Sequence, residues 1–463
     1  MIRSLKPLGS TPSFDVCGDW DVVRLCQIAR ARSDKNRPEL GLLSVFLGRG
    51  VIPYSEGGGQ VHKPGLDLAN YQAVHPGDLV LNNQQAWRGS VGVSSHLGLV
   101  SPAYLVLSLD DVLDRSFANY LFQSRVMVAQ FVTSSKGVGD IQRDIHTPWL
   151  RNTRVPIPPR NEQAAIARFL AYVDQRIRRS MRLKQQLIKL LEEQKQAIIH
   201  RAVTRGVDPE VSLKASGADW LGDVPEHWET RRIANLFSQR VETGEPELPI
   251  LIVSIANGVA RSADENGDGR PKRFIEDRGR YKVARRGDIV YNTMRMWQGA
   301  VGVAPEDGLV SPAYVVSRPH VGVASEYYCL LFRTDACKCA TVSLSRGIVD
   351  DRNRLYWDGF KVLQVPVPSQ DEQRRIVETV ATQTRTIRHP SAHVLREIAL
   401  LREFRTCMIT DVVTGKLDVR AAAASLPDKA GDSDLLDEAE ALHESDEGVA
   451  EADLVVPSNN ADA

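Results

Sequence analysis

The stretch HPGDLVLNNQQAWRGSVGVSSHLGLVSPAYLVLSL (75–109) returns in altered form 210 positions later, as RRGDIVYNTMRMWQGAVGVAPEDGLVSPAYVVSRP (285–319). The two stretches share 17 of 35 residues without a gap. The same offset relates VPIPPRNEQ (155–163) to VPVPSQDEQ (365–373). The 463-residue chain therefore contains a duplicated unit of roughly 200 residues, the size of a domain with a connector.

Each copy divides into a β-rich part and a helical part. GDLVLNN (77–83) and GDIVYNT (287–293) alternate apolar residues after a Gly-Asp turn, and AYLVLSL (103–109) and AYVVSRP (313–319) follow a proline, as is typical of strands. Further on, apolar residues recur at helical spacing. In the first copy they are Ile166, Leu170, Val173, Ile177, Met181, Leu187, Leu191 and Ile198, and in the second Ile376, Val380, Ile387, Val394, Ile398, Leu401, Phe404 and Met408.

These patterns predict a long helix in each copy, from Glu162 to about Val203 in the first. One apolar stripe cannot bury itself, so the two helices are expected to pack as an antiparallel pair. Pro390 is expected to break or restart the second helix because it lacks an N–H. The predicted fold class is α+β, with two similar β-rich mixed α/β domains joined by long antiparallel helices in a pseudo-twofold internal repeat. The predicted divisions are domain 1 at 1–158, a central long-helix connector at 159–206, domain 2 at 207–368, a C-terminal helical connector at 369–416 and an acidic disordered tail at 417–463.

The formal net charge of zero hides an uneven distribution. From Ala421 onward the chain has 12 Asp or Glu and one Lys, which leaves 57 basic and 46 acidic residues in 1–420. A basic body is typical of nucleic-acid binders. The acidic end has few aromatic residues, which favours disorder.

Several classes of site are missing from the sequence. It has no G-x-x-x-x-G-K-[ST] phosphate loop, no [ND]-P-P-[YF] of the amino-methyltransferases and no H-E-x-x-H. DENGDG (264–269) begins like a calcium loop, but Ile275 stands where the bidentate Glu should be, so a turn is expected. The sequence therefore predicts no catalytic site and no metal site on this chain.

Cysteine usage and hydropathy indicate the compartment. The six cysteines are scattered and form no C-x-x-C pair, which favours a reduced protein without structural zinc. Met1–Ser10 has no apolar region typical of a secretion signal, and no apolar run reaches about 18 residues. A cytoplasmic protein is expected.

The loop after each Gly-Asp strand is the first candidate for binding. Two similar heads suit duplex DNA, which offers half-sites about 34–36 Å apart. The loop reads NNQQAWRG (82–89) in one copy and NTMRMWQG (292–299) in the other, and Asn, Gln and Arg make bidentate contacts to base edges. Trp87 and Trp297 are expected in the core. The predicted DNA contacts are Asn83, Gln84, Gln85, Arg88 and Arg295, with a solvated loop as the alternative.

A second candidate is TSSKGVGDIQRD (133–144), which aligns with SLSRGIVDDRNR (343–354). It places Lys136 opposite Arg346 in the alignment, and either cation could hold a phosphate. A solvated surface loop is again the alternative. The copies differ most at 44–65 and 253–275, as separate specificities or drifting surface loops would produce.

Four segments of the second copy resemble the recurring motifs of one family, the specificity (S) subunits of type I restriction–modification enzymes. They are WLGDVPEHWETRRI (220–233), GDIVYNTMRMWQGAVGV with the following GLVSPAY (287–314), VPVPSQDEQRRIV (365–377) and VVTGKLDVR (412–420). The resemblance covers about residues 15–420, twice over. The first copy departs from it: NNQQAWRG replaces N-x-M-R-x-W, and CGDWDVVRL (17–25) lacks the W-L-G element.

The resemblance implies a subunit that is not itself an enzyme. Its two target-recognition domains would each bind one half of an asymmetric bipartite DNA site, while the helices set the gap. Two modification (M) subunits would dock on the helices, bind S-adenosylmethionine and methylate adenine at N6. Restriction (R) subunits would supply ATP- and magnesium-dependent translocation and cleavage, and no cofactor is expected on this chain. A two-headed adaptor for a non-DNA ligand and a motif-poor DNA-modifying enzyme remain alternatives; no membrane contact is expected.

Overall fold

The computed structural model describes residues 3–8, 14–57, 65, 68–138, 142–262, 278–347 and 353–427. The acidic residues from 428 onward, the DENGDG turn and large parts of the two divergent segments lie outside the described residues. The chain forms two compact units. Unit 1 combines residues up to Leu183 with those from Glu397 onward, and unit 2 comprises Lys184–Arg396. The strand-rich part of unit 1, up to residue 157, is called head 1, and that of unit 2, from 213 to 367, is called head 2.

The described residues of head 1 form short strands and four α-helices. Its strands are β1 (Leu5–Pro7), β2 (Asp15–Cys17), β3 (Asp21–Arg24), β4 (Ala29–Ala31), β5 (Leu43–Phe46), β6 (Gly50–Pro53), β7 (Gln72–Val74), β8 (Asp78–Asn82), β9 (Val91–Val93), β10 (Gly98–Val100), β11 (Tyr104–Leu109), β12 (Ser135–Val138), β13 (Gln142–Ile145) and β14 (Arg154–Ile157). Its helices are α1 (Leu25–Ile28), α2 (Arg115–Gln123), α3 (Arg125–Thr133) and α4 (Thr147–Leu150), and the long α5 (Arg160–Arg205) follows.

Head 2 repeats most of this order, with the 3-10 turn Ile233–Asn235 in place of α1 and, among the described residues, an isolated bridge between Arg346 and Arg354 in place of β12 and β13. Its strands are β15 (Leu213–Ala215), β16 (Asp223–Pro225), β17 (Glu229–Arg232), β18 (Phe237–Arg240), β19 (Leu251–Ser254), β20 (Gly258–Arg261), β21 (Lys282–Ala284), β22 (Ile289–Asn292), β23 (Val301–Val303), β24 (Gly308–Val310), β25 (Tyr314–Pro319) and β26 (Gln364–Val367). Its helices are α6 (Ser325–Phe332), α7 (Asp335–Leu344) and α8 (Trp357–Phe360), followed by the long α9 (Gln370–Val413) and the short α10 (Arg420–Ala424).

The same four-stranded antiparallel sheet lies at the centre of each head. Its order is β4-β11-β8-β9 in head 1 and β18-β25-β22-β23 in head 2. Tyr104 pairs with Asn82, and Tyr314 pairs with Asn292, so the register is also duplicated. The predicted strands are the two central ones of each sheet, and the predicted α+β fold with an internal repeat is confirmed.

Both faces of the central sheet are buried, which explains the apolar character of its strands. In head 1, Leu79 and Leu81 pack with Phe117 and other residues of α2 and α3, while Val80 packs into a separate cluster with the β5–β6 hairpin. Successive side chains of a strand point to opposite faces. Head 2 repeats the arrangement, with Val290 in the cluster on the hairpin side.

A buried carboxylate holds the Gly-Asp turn that opens each central strand. In head 1, Asp78 accepts the His75 backbone N–H at 2.8 Å and pairs with Arg32 at 2.6 Å. In head 2, Asp288 pairs with Arg240 at 2.7 Å. Removing one partner of such a buried pair leaves an uncompensated charge, so these turns depend on both members.

The two long helices form as predicted, with one correction. α5 runs without interruption over 46 residues. α9 continues through Pro390, so the predicted break there is wrong. The proline removes one N–H bond, while buried Ile387 and Val394 hold the turns before and after it. No helix in the described part of the chain is long and apolar enough to cross a membrane.

The helices pack in antiparallel fashion within each unit. In unit 1, Asp174 of α5 forms an ion pair with Arg405 of α9. In unit 2, Val203 near the end of α5 shares a core with Ile376 near the start of α9. The ends of each apolar stripe are therefore covered, whereas Leu187 of α5 and Phe404 of α9, which belong to the same stripes, are exposed.

The last turn of one helix closes the head of the other repeat. In unit 1, the Thr414 carbonyl accepts the Cys17 N–H at 2.8 Å, and Gly415 lies against the ring of Trp20. In unit 2, Gly206 faces Trp228 less closely, and Pro225, at the place of Cys17, has no N–H for a matching bond. The segments AVTRGVD (202–208) and VVTGKLD (412–418) align, and each supplies a glycine to this contact, although Gly206 stands opposite Lys416 in the alignment.

The predicted disordered tail begins too early. Asp418 pairs with Arg3 at 2.8 Å, and Val419 and Ala423 are buried. α10 forms within this segment. Residues 417–427 therefore belong to the folded part of unit 1, and the predicted boundary at 417 is wrong.

Candidate nucleic-acid interface

The loop after the central strand has the same backbone in both heads. In head 1 it turns through a short 3-10 helix, Ala86–Arg88, and ends at Gly89 with φ +103°. In head 2 the corresponding Met296–Gln298 ends at Gly299 with φ +88°. These positive φ angles favour glycine, which explains why both copies have W-x-G.

An asparagine side chain and an indole brace the turn. Asn82 Oδ1 accepts the Gln84 N–H at 3.1 Å, and Trp87 Nε1 donates to the Gln84 carbonyl at 2.8 Å. In head 2, Trp297 Nε1 donates to the Met294 carbonyl at 3.0 Å. Local hydrogen bonds thus hold the loop, in addition to the burial of Ala86 and Met296.

Trp87 and Trp297 are not core residues, contrary to the sequence prediction. Both are half-buried, whereas the preceding Ala86 and Met296 are fully buried. An indole whose N–H is satisfied by a loop carbonyl can leave one part of its ring at the surface. The repeated tryptophan therefore lies at the surface of the loop, and the residue before it, Ala86 or Met296, packs into the core.

The Trp87 ring gathers two arginines in head 1. The guanidinium carbon of Arg88 lies 4.6 Å from the ring centroid and that of Arg143, on β13, lies 5.4 Å from it. Cation–π stacking of this kind is typically worth about 0.5–1 kcal/mol at an exposed site. It limits the positions that the two guanidinium groups adopt.

The β12–β13 hairpin adjoins this loop. The Asn83 carbonyl accepts the Ile145 N–H at 3.2 Å, and Asn83 Nδ2 lies 3.5 Å from Asp144. Lys136 on β12 is exposed, and its Nζ lies 5.0 Å from the centroid of the Trp149 ring. The structure thus brings the two predicted segments of head 1 to one surface.

The remaining predicted residues of head 1 differ in exposure. Gln84 and Arg88 are exposed, whereas Asn83 and Gln85 are half-buried. The backbone of Gln85 belongs to the turn, since its N–H bonds to Asn82 and its carbonyl accepts the Arg88 N–H. Gln84 and Arg88 are the more accessible side chains of this set.

Head 2 places its loop against the same partner segment. The Thr293 carbonyl accepts the Leu355 N–H at 2.9 Å, which is the counterpart of the bond between Asn83 and Ile145. Arg295 is exposed on the loop. Arg346 forms a backbone bridge with Arg354, as Lys136 pairs with Asp144 in head 1.

The charge of this partner segment differs between the heads. The cross-strand pair is Lys136 and Asp144 in head 1, but Arg346 and Arg354 in head 2. The Lys361 ammonium, with a smaller contribution from Arg346, holds the pKa of Asp358 below its usual range. The segment of head 2 is the more basic at these positions.

Three residues of this surface were not predicted: Arg143, Trp149 and Arg354. Arg143 is the last residue but one of the stretch 133–144, and Arg354 is the last residue of 343–354, so both charges were visible in the sequence. What the sequence did not show is that β13 folds back beside the loop and brings Arg143 to Trp87. In the described residues, no group of three or more His, Cys, Asp or Glu is placed to hold a metal ion.

The chain matches no family model. Its fold is similar to that of a chain from a structural study of complex assembly and conformational transition of a type I R-M system, with a TM-score of 0.62 and 16% identity over 87% of this chain and 100% of that one. The HsdS subunit from Thermoanaerobacter tengcongensis gives 0.43, with 19% identity over 88% and 100% of the two chains. The type I restriction–modification S subunit from M. genitalium gives 0.33, with 13% identity over 88% and 98%. The first likeness shows a shared fold, and the other two are too weak to carry an argument.

Proposed function

We propose that this chain is the DNA sequence-recognition subunit of a type I restriction–modification complex. Each head binds one half of an asymmetric bipartite DNA site. The observation that carries the proposal is the duplicated loop, which holds exposed Arg88 in one head and exposed Arg295 in the other on the same braced turn. The shared fold with a chain from a type I R-M system supports it.

The chain acts as a reader without chemistry of its own. The long helices dock two M subunits and set the gap between the half-sites. The M subunits bring S-adenosylmethionine, and R subunits bring ATP and magnesium. The sequence motifs quoted above support this assignment, and Lys136 and Arg346 supply the positive charge that a phosphate backbone requires.

Co-expression with a candidate M subunit tests the proposal. The host is a strain free of DNA methylation, and N6-methyladenine is mapped across its genome. We expect one two-part motif with a fixed gap. A soluble complex that binds DNA but leaves the genome unmethylated would contradict the assignment of partner.

Salt dependence of duplex binding separates this function from a non-DNA adaptor. Affinity for DNA falls steeply as the salt concentration rises, because Lys and Arg side chains that bind phosphates release the cations condensed on the DNA. We expect Lys136→Gln and Arg346→Gln each to weaken binding to all sequences evenly and to reduce the salt slope by about 1. A chain that ignores duplex DNA at low salt would favour the adaptor.

A further inference from the structure

The two heads allow an internal comparison of equivalent positions. The backbone bonds of Ile145 and Leu355 to the loop and the cross-strand partners of Lys136 and Arg346 fix the correspondence. At the loop and the neighbouring strand, the aligned side chains are Arg88 with Gln298, Arg143 with Asn353, and Lys136 with Arg346.

One of these positions keeps its charge and two change their chemistry. Lys136 and Arg346 are both exposed cations. Arg88 and Arg143 stand beside the Trp87 ring in head 1, whereas the aligned positions of head 2 carry the amides Gln298 and Asn353. Head 1 thus presents two guanidinium groups where head 2 presents two amide groups.

The chemistry of duplex DNA explains why one position keeps its charge while two others change from a guanidinium to an amide. The phosphate backbone is the same in both half-sites, so a side chain that holds a phosphate should remain a cation in both heads. Base edges differ between half-sites, so a side chain that reads a base should differ. Arginine makes bidentate contacts to guanine O6 and N7, and asparagine and glutamine make them to adenine N6 and N7.

The geometry of head 1 suits contacts to particular base edges rather than a nonspecific attraction to DNA phosphates. The Trp87 indole is fixed by its hydrogen bond to the Gln84 carbonyl, and both guanidinium groups lie against that ring. A bidentate contact needs a planar fork in a defined orientation, and stacking on a fixed ring limits the orientations available. The indole of head 2 is fixed by the equivalent bond.

We infer that Arg88 and Arg143 read guanine in the half-site of head 1, and that Gln298 and Asn353 read adenine at the corresponding place in the half-site of head 2. This assignment rests on the proposed function and adds the base that each head selects. Lys136 and Arg346 hold phosphates and carry no base preference.

Selection from a random duplex pool tests the inference. The purified full-length chain is incubated with double-stranded DNA containing a randomised central region, and bound molecules are sequenced. We expect the double variant Arg88→Gln, Arg143→Asn to replace guanine by adenine in one half-site and to leave the other unchanged. Affinity for the original site should fall at least about 10-fold, the loss of one good bidentate contact.

The reciprocal variant and a matched control complete the design. Gln298→Arg should introduce guanine in the other half-site. Arg115→Gln removes an exposed arginine whose guanidinium lies beside Gly77, at the opposite end of β8 from the loop, and should leave both half-sites unchanged. Hydrogen exchange of β8 and β13 verifies that the head 1 variants are folded, and exchange of β22 does so for Gln298→Arg.

Two outcomes would overturn the inference and differ from each other. If the double variant weakens binding to every sequence evenly, Arg88 and Arg143 hold phosphates, and the base assignment is wrong while DNA recognition stands. If the unaltered chain binds no duplex from the pool, the proposed function fails and takes the assignment with it.

Discussion

Units 1 and 2 share one backbone plan but fill equivalent places with different chemistry. Trp20 and Trp228 are both fully buried, yet Trp20 Nε1 donates to Glu162 at 3.3 Å, while Trp228 Nε1 has no acceptor among the described residues. In the central sheet, Leu81 of head 1 corresponds to Tyr291 of head 2. The shared backbone places a large side chain at the same position in each unit, but its polar contacts differ. Matched substitutions in the two units can therefore separate the effect of packing on stability from the effect of hydrogen bonding.

The largest difference is expected at the glycines that close the heads. A Cβ on Gly415 would lie 2.6 Å from Cys17 Cβ and 2.7 Å from Trp20 Cζ2, whereas a Cβ on Gly206 would lie no closer than 3.5 Å to Trp228. Both have positive φ, which costs alanine about 1–2 kcal/mol. We expect Gly415→Ala to destabilise unit 1 by about 3 kcal/mol, since overpacking adds to that strain.

Gly206→Ala is the matched control and should cost unit 2 only about 1 kcal/mol, from backbone strain alone. Hydrogen exchange of the peptides that contain Trp20 and Trp228 measures each unit separately. Equal losses in the two units would show that the close approach at Gly415 relaxes without cost.

The next effect concerns the two buried tryptophans. Trp20→Phe and Trp228→Phe remove the same volume, but only the first removes a hydrogen bond to a carboxylate. We expect unit 1 to lose about 2 kcal/mol more than unit 2, since a hydrogen bond to a charged group is typically worth about 1.5–3 kcal/mol. Denaturant unfolding followed by exchange in each unit gives the comparison, and a larger loss in unit 2 would refute it.

A pH-dependent difference is expected at Asp418. Hydrogen bonds from Arg420 and from Arg3 hold the pKa of its carboxyl well below the usual range. A lowered pKa stabilises the folded state above the unfolded value of about 3.9, and that contribution is lost as pH falls. Asp418→Asn should therefore cost unit 1 about 1–2 kcal/mol at pH 7, and the difference from the unaltered chain should shrink below about pH 4.

Asp208→Asn serves as the control in unit 2. Asp208 accepts the Glu210 N–H as Asp418 accepts the Arg420 N–H, but a glutamate stands in the place of the arginine. Asp208→Asn should lower the stability of unit 2 less than Asp418→Asn lowers that of unit 1. Thermal melts of both variants at pH 7 and at pH 3 measure the two losses and their dependence on pH. A loss at Asp418 that is independent of pH would contradict the role of its charge.

The smallest effect is expected at Tyr291, whose buried hydroxyl has no partner among the described residues. Burial raises the pKa of this phenol well above its usual value, so it stays protonated. We expect Tyr291→Phe to leave stability unchanged or to raise it by up to about 1 kcal/mol, because it removes an unsatisfied polar group.

Tyr327→Phe is the paired variant within unit 2. The Tyr327 hydroxyl donates to the Val203 carbonyl at 2.7 Å. Its loss should destabilise the unit by about 1 kcal/mol. A urea titration of both variants measures the change in the free energy of unfolding. If both variants are destabilised, the Tyr291 hydroxyl has a hydrogen-bond partner in solution.

The repeat made much of the fold predictable. A gap-free alignment of 75–109 with 285–319 implies equal strands and equal register, and both were found. Helical periodicity located α5 within a few residues of its ends. Periodicity does not say what covers a stripe, so the closure of head 1 by Thr414 and Gly415 was not foreseen.

The errors at Pro390 and at the loop tryptophans share a physical cause. Each came from the usual preference of one residue type, which tertiary contacts overrode. Buried turns carry α9 through its proline, and a carbonyl of the loop satisfies the Trp87 N–H at the surface. The predicted contacts Asn83, Gln84, Gln85, Arg88, Lys136, Arg295 and Arg346 stay predictions until DNA binding is measured.

The closure of head 1 by Thr414 and Gly415 has a consequence for the order of folding during synthesis. Trp20 is made early, but the residues that cover it are made about 400 positions later, at 412–419. Unit 2, between Lys184 and Arg396, has all its parts before that point. Head 2 can therefore complete its core during translation before head 1 does. Head 1 is synthesised first but keeps part of its core uncovered until residues 412–419 have been made.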